Sequence, residues 1–550
     1  MSEPDNGTPQ PKKPEKKEEM SMETRLLLSF VLMGVVLFAT QYLFKPTPPD
    51  KTTVKQTEPV VPKVQGERPP PPPPPSVVPA EGVVAASRDE DFTVETDLYK
   101  VVFLNRGAVV RSWTLKKYRD GKGNPLEVVN TAAAAKVYYP FAVQFKNQKP
   151  TTDLNQALFV GKKSADGLSV DFEYSNGKTT ARKSFAFEKN RYLFNLSSEV
   201  LEGTTPVPHL LVWRGGFGDA SVVNAAAGQH SLHFDTAQNK LIVQEAKSAK
   251  DGPVTNSGNF SFAGLEDTFF AAVVVPKGQV EIQTMQDMLP SASDPAKEEP
   301  HVGAAVGGEG VNRFSMFLGP KDIDLLRKVD PKLENIVDFG WFGILAKPLF
   351  LSLNWVNDKY VHNYGWSIVL VTVAINFLLL PLKFSSLKSM KKMQMLQPQI
   401  AAINDRYKNI GIRDPKKADQ NAETMALYKA NGVNPMGGCM PMALQIPFFI
   451  AYYKVLSVSI EMRGAHWLWV TDLSQPETLA IHILPLLMIG TQFLLQRMTP
   501  STTADPAQQK IMMLMPLMMG FFFYSAQSGL VLYWLTGNVV GLAQQWFFNR

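Results

Sequence analysis

The apolar stretch "VLVTVAINFLLLPLK", residues 369 to 383, carries three side chains that can hydrogen-bond: Thr372, Asn376 and Lys383. At about 100° per residue they fall within about 40° of one another on a helix, while Pro381 lies near the opposite side. A hydroxyl, an amide and an ammonium make no nucleophile and base. What they offer is solvation: a polar stripe running from the middle of an apolar helix to one end, where an amide in hydrocarbon would otherwise be costly. Two other apolar segments repeat the pattern, with Gln445 on the face of Tyr452, and Tyr533 on the face of Gly537 and Gln544. Such stripes can line one wet cavity open to the cytoplasm. Taken singly, each residue serves equally well as a hydrogen bond between neighbouring helices.

Covalent catalysis finds little support. His230 and His233 in "QHSLHF" would face opposite ways in a strand, with no third ligand in view, and are expected as solvated surface residues. The lone Cys439, in an apolar segment, excludes a disulfide framework and is expected as a small buried residue. No G-x-S-x-G, Walker or HExxH pattern occurs, so neither a hydrolase nor a built-in ATPase is indicated, and the chain is not expected to be an enzyme. A net charge of +6 over 550 residues, with no basic and aromatic face, gives no reason to expect nucleic acid.

The elements that must hold these residues follow from hydropathy. "LLLSFVLMGVVLFATQYLF", residues 26–44, is long enough to span a bilayer, and no Ala-x-Ala cleavage site follows it. Lys12, Lys13, Lys16, Lys17 and Arg25 hold residues 1–25 in the cytoplasm, making 26–44 an uncleaved signal anchor. Residues 45–90, with Pro69 to Pro75 unbroken, form an extended spacer. From 91 to 330 the period is two. Leu168, Val170, Phe172 and Tyr174 alternate, the chain turns at Asn176 and Gly177, and Phe185, Phe187, Tyr192, Phe194 and Leu196 follow. An exported all-β sandwich results.

Residues 331–363 are amphipathic, with Trp341 and Trp355 spaced as interface anchors and Trp366 close behind. Five further spans are expected at 364–382, 439–457, 480–497, 511–525 and 529–548. Between the first two, residues 383–438 carry ten Lys or Arg against four acids, which places this loop in the cytoplasm. Six spans return Arg550 to the cytoplasm. Within the loop, 383–435 reads as a helical hairpin broken near Gly411 to Pro415, suited to receive emerging chains or to lie on lipid. Met390, Met393 and Met395 sit among its lysines, where adaptable apolar contact is a reading beside ordinary packing.

The segments "DFGWFGILAKPLF", "NYGWSIVLVT", "PLKFSSLKSMKKMQMLQPQI", "MALYKANGVNPMGGCMPMALQIPFFIAYYKVL", "DPAQQKIMMLMP" and "SGLVLYWLTGN" occur in order over most of residues 338 to 548. They closely resemble the YidC family of bacterial inner-membrane protein insertases, in its Gram-negative form. The resemblance implies an α-helical polytopic membrane protein with six transmembrane helices and a polar groove open to the cytoplasm, plus a large periplasmic all-β supersandwich domain. It implies insertion and chaperoning of membrane proteins without a cofactor. The implied partners are nascent integral membrane proteins, the Sec translocon with its accessory subunits, the ribosome and the lipid bilayer, with no nucleic acid beyond ribosomal RNA. The family's groove positions map onto Thr372, Gln445, Tyr533 and Trp534. Where the family usually carries an arginine, five residues before the "PL" of the second span, this chain has Asn376. Lys383 is then the nearest positive charge, expected to snorkel to the cytoplasmic mouth. No long basic tail follows Arg550, so ribosome contact is expected at the cytoplasmic loops.

Two other classes are open. A small-solute transporter would show repeated helix sets and paired midplane charges. A tethered periplasmic carbohydrate-binding module would need converging acids and bases in the β domain.

Overall fold

Alternating apolar residues with turn chemistry at the ends build the first half of the chain. The computed structural model describes residues 82–146, 149–222, 225–291, 296–407, 416–433, 440–499 and 506–550; the expected anchor, most of the proline-rich spacer, the hairpin break and Cys439 lie outside these. Strands Ser169–Asn176, Thr179–Phe187 and Leu193–Glu202 form an antiparallel meander. Its first turn holds Gly177 at φ +84°, and the Asn176 side-chain oxygen accepts from the backbone N–H groups of Lys178 and Thr179. The sheet continues through Asn312–Pro320 and Phe270–Pro276 to the long strand Val254–Glu266.

That strand serves two sheets. Its second half pairs with Phe270–Pro276 and His230–Asp235, and its first half with Gln279–Pro290, which leads on to Glu298–Gly308, His209–Trp213 and Ala142–Phe145. A separate four-stranded sheet (residues 91–127) packs Trp113 against Phe187 and Phe194. Tyr99, Phe103, Phe172, Phe185, Phe262 and Phe317 complete a large apolar interior. One short helix, α1 (Thr131–Val137), is capped by the side chain of Asn130.

The histidine expectation is corrected. Strand His230–Asp235 lies between Lys240–Glu245 and Val254–Glu266 rather than at a wet edge, so His233 is buried against the Phe260 ring and His230 is half-buried, 3.8 Å from Glu266.

Helices follow the β domain. Asp322 caps α2 (Ile323–Val329), and α3 (Gly343–Val356) buries Ala346, Leu349, Phe350 and Leu353 while Trp341 and Trp355 stay exposed. A π turn ends at His362, whose φ is +49°, and the chain bends by 115° into α4 (Tyr364–Leu378). At Leu379 the chain passes directly into α5 (Leu380–Arg406), so the first helix of the hairpin begins three residues before Lys383 and contains it. α6 (Lys416–Ala430) packs on α5 through Arg406 and Glu423 and through Gln420 and Asn404. Then come α7 (Met440–Val458), α8 (Ile483–Met498), α9 (Pro506–Phe523) and α10 (Ser528–Asn549). Among the described residues no single helix is long and apolar enough to cross a membrane; the bent pair Gly343–Val361 and Tyr364–Leu378 meets both conditions together.

Candidate functional site

The polar stripe of α4 meets the stripes of α7 and α10. Asn363 caps α4 by accepting from the Trp366 N–H, and one turn into the apolar run Thr372 is fully buried. Its hydroxyl lies 3.2 Å from the Tyr452 hydroxyl on α7. Tyr452 in turn stacks on Tyr533 of α10, with ring centroids 4.1 Å apart and 22° between planes. Both rings are buried.

Toward the other end of α4 the network takes in one basic side chain held by neutral amides. The Asn376 amide donates to the Thr372 carbonyl at 2.8 Å, and its oxygen accepts from Lys383 Nζ at 2.5 Å. Lys383 also reaches Gln544 Oε1 at 3.4 Å, and Gln544 Nε2 donates to the Asn376 carbonyl at 3.3 Å. The ammonium therefore turns inward onto Asn376, where the sequence suggested an outward reach to the mouth. One chain of contacts joins Lys383 of α5, Asn376 and Thr372 of α4, Tyr452 of α7 and Tyr533 of α10, across four helices.

Other expected positions separate from this chain. Trp534 points away from Tyr533, donating to Gln492 of α8 at 3.2 Å and packing on Phe449 and Phe523. Gln445 is exposed and joins no member of the network. Met393 is buried with Leu396, Ile400 and Val433 inside the α5–α6 hairpin, Met390 is half-buried, and only Met395, 68% exposed, presents itself to the outside.

A second polar seam escaped sequence reading. Asn538 donates to the Met488 carbonyl and to Thr491, and Gln545 donates to the Met498 carbonyl, tying α10 to the length of α8. Asn538 and Gln545 stand seven apart on one face, a spacing that would have revealed them. Their partners are two backbone carbonyls and one hydroxyl at residues 488–498 of the neighbouring chain segment, which is the pattern of helix pairing.

Comparison with known proteins accounts for both halves of the chain. A family model described as "YidC periplasmic domain" matches residues 91–352, and one described as "60Kd inner membrane protein" matches residues 355–550. The membrane protein insertase YidC of Syntrophus aciditrophicus is 32% identical over 96% of this chain and all of that protein. That of Geotalea uraniireducens is 34% identical over 96% of this chain and 99% of that protein. The chain belongs to the YidC insertase family. A solved structure described as an active YidC insertase with its first transmembrane domain resolved covers 84% of this chain and 94% of that chain at 19% identity, with a TM-score of 0.36. Within the YidC matches, the periplasmic segment extends beyond the last strand, at Pro320, into α3. The apolar interior does the same, running without a gap from the sandwich through Leu326, Leu333 and Ile336 to Ala346 and Leu353.

Proposed function

We propose that this chain inserts membrane proteins by lowering the barrier to a polar segment at the junction of α4, α7 and α10. The observation that carries the reading is the contact chain from half-buried Lys383 to buried Tyr533. A polar flank leaving water would exchange hydration for the hydroxyls of Thr372, Tyr452 and Tyr533 and the amide of Asn376, while the apolar part of the substrate moves into lipid. The groove opens to the cytoplasm in this reading, with six spans, cytoplasmic termini and the β domain in the periplasm. Placement of the residue 459–475 loop beside the β domain supports that topology, since both then lie on the exported side.

Lys383, held by Asn376 and Gln544, provides the positive charge at this end of the groove and favours acidic substrate flanks. Gln445 and Trp534 border the groove, and Met390, Met393 and Met395 belong to the hairpin that guards its mouth. Nascent membrane proteins are the substrates, with the Sec translocon and ribosome as partners on either side of the event. The test is depletion of the protein followed by protease protection of a small one-span substrate with an acidic flank. Loss of protection, restored by the wild-type chain and by Lys383→Arg but not by Lys383→Ala, is expected. Full restoration by Lys383→Ala would refute the charge assignment, and undiminished insertion in depleted cells would refute the function.

A further inference from the structure

Lys383 is a half-buried charge with no counter-charge in the groove helices. Its ammonium rests on two amide oxygens, Asn376 Oδ1 at 2.5 Å and Gln544 Oε1 at 3.4 Å. α4, α7 and α10 contain no Asp or Glu, and the first acid of α5 is Asp405, close to its far end. Amide oxygens solvate an ammonium without neutralising it. A carboxylate brought alongside would therefore hold Lys383 more tightly than its present partners do.

The same lysine fastens the hairpin. It stands in the first turn of α5, which also meets α10 through aromatic contacts. Phe384 stacks on Phe548 with ring centres 6.0 Å apart and 27° between planes, and Lys391 Nζ lies 5.8 Å from the centre of the Phe548 ring. The last two turns of α10 thus present two faces. Gln544 and Phe548, four apart, meet α4 and α5, while Gln545 and Asn549, also four apart, donate to the Met498 carbonyl at the end of α8. A hinge lies beside the fastening. α4 ends at Leu378 and α5 begins at Leu380, and Pro381 in the first turn of α5 has no N–H to continue the hydrogen-bond ladder of α4.

We propose that Lys383 is a latch that an acidic substrate flank opens: a substrate carboxylate takes the ammonium from Asn376 and Gln544, and the root of α5 loosens from α10 and turns about Leu379 and Pro381. This rests on the groove reading above and deepens it. The charge that attracts the flank is also a charge that keeps the hairpin closed, so the hairpin moves only when an acidic segment has arrived. Gln544 is then a specificity-determining residue. Its oxygen competes with the substrate for Lys383 and so sets how acidic a flank must be to open the latch. A neutral flank offers only oxygens of the kind already present and leaves it shut.

The test uses the full-length protein in lipid vesicles and two matched one-span peptides, one with an Asp-rich flank and one with Asn in the same places. Hydrogen exchange across residues 380–392 and insertion of each peptide are measured. The Asp peptide is expected to speed that exchange at least about tenfold over the peptide-free protein, and the Asn peptide to leave it within about twofold. Gln544→Glu keeps the shape of the side chain and supplies the missing carboxylate. It is expected to slow peptide-free exchange, to abolish the response to the Asp peptide and to slow insertion of that peptide about tenfold. Gln544→Leu is expected to act in the opposite sense, with fast exchange before any peptide is added and a smaller difference between the two peptides. Equal exchange with both peptides in the wild-type chain, beside insertion that still favours the Asp flank, would overturn the latch and leave the groove charge standing. Insertion without preference for either flank would remove both. Wild-type exchange and insertion in Gln544→Glu would also overturn the latch.

Discussion

The hydrogen bond between Thr372 and Tyr452 separates a groove that needs wetness from helices that are merely joined. Thr372→Val strands the Tyr452 hydroxyl in a fully buried position, at a cost of about 1–3 kcal/mol. Tyr452→Phe is milder, about 1 kcal/mol, because the Thr372 hydroxyl can turn to the carbonyl one turn back on its own helix. Removing both polar groups together leaves no orphan, so the double variant is expected to regain most of the loss of Thr372→Val, a coupling of about 1–2 kcal/mol. Insertion should behave differently. If each hydroxyl gives a passing polar group about 1 kcal/mol, losing two slows insertion about thirtyfold, whatever happens to stability. Thermal unfolding in mild detergent reads the first quantity, and protease protection of a vesicle-inserted substrate reads the second. Insertion that recovers along with stability in the double variant would refute the wet groove and leave only helix pairing.

Glu461, in the loop beyond α7, has its carboxyl pushed up to about 7, by burial first and then by Asp322, Asp324 and Asp358. A carboxyl raised on folding costs stability that accrues as pH rises from about 4.5 to about 7. Glu461→Gln is therefore expected to increase stability at pH 8 by on the order of 2 kcal/mol, because some water contact remains, read as a higher melting temperature, and to leave the melting temperature unchanged at pH 4; equal shifts at both pH values would contradict this. In the hairpin, Met393→Asp should unfold α5 against α6, visible as protease cleavage between residues 407 and 416, whereas Met395→Asp should leave the cleavage pattern intact. Identical patterns for the two would contradict the packing assigned to Met393.

Hydropathy periods were sufficient to find the strands, since an alternating run such as Ser169–Asn176 declares its buried face locally. They were insufficient for Lys183, which stands in the neighbouring alternating strand yet is buried, its Nζ donating to the carbonyls of Gly107, Ala108 and Phe141. Burial pushes that ammonium down to about 7, and nothing within the strand signals the three carbonyls brought to it from other segments. The histidines failed for the same reason, because whether a strand lies inside a sheet or at its edge is decided by partners distant in sequence.

The stripe of Thr372, Asn376 and Lys383 was legible because helix period is a local property, and the structure does bring these three together. The aromatic pair at 533 and 534 was legible as a pair but not in its division of labour: successive helical residues point about 100° apart, so only Tyr533 meets Tyr452 while Trp534 meets α8. By itself, then, the sequence determined the two halves of the chain, the strand and helix periods and the polar face of α4, all consequences of side chains within a few turns of one another. Tertiary structure alone decided that Thr372 finds Tyr452 80 residues away, that Asn376 finds Gln544 168 residues away, and that Arg463 finds Asp219 244 residues back. Those contacts depend on which faces pack, and packing is settled by burial of the whole apolar surface rather than by any short stretch of it.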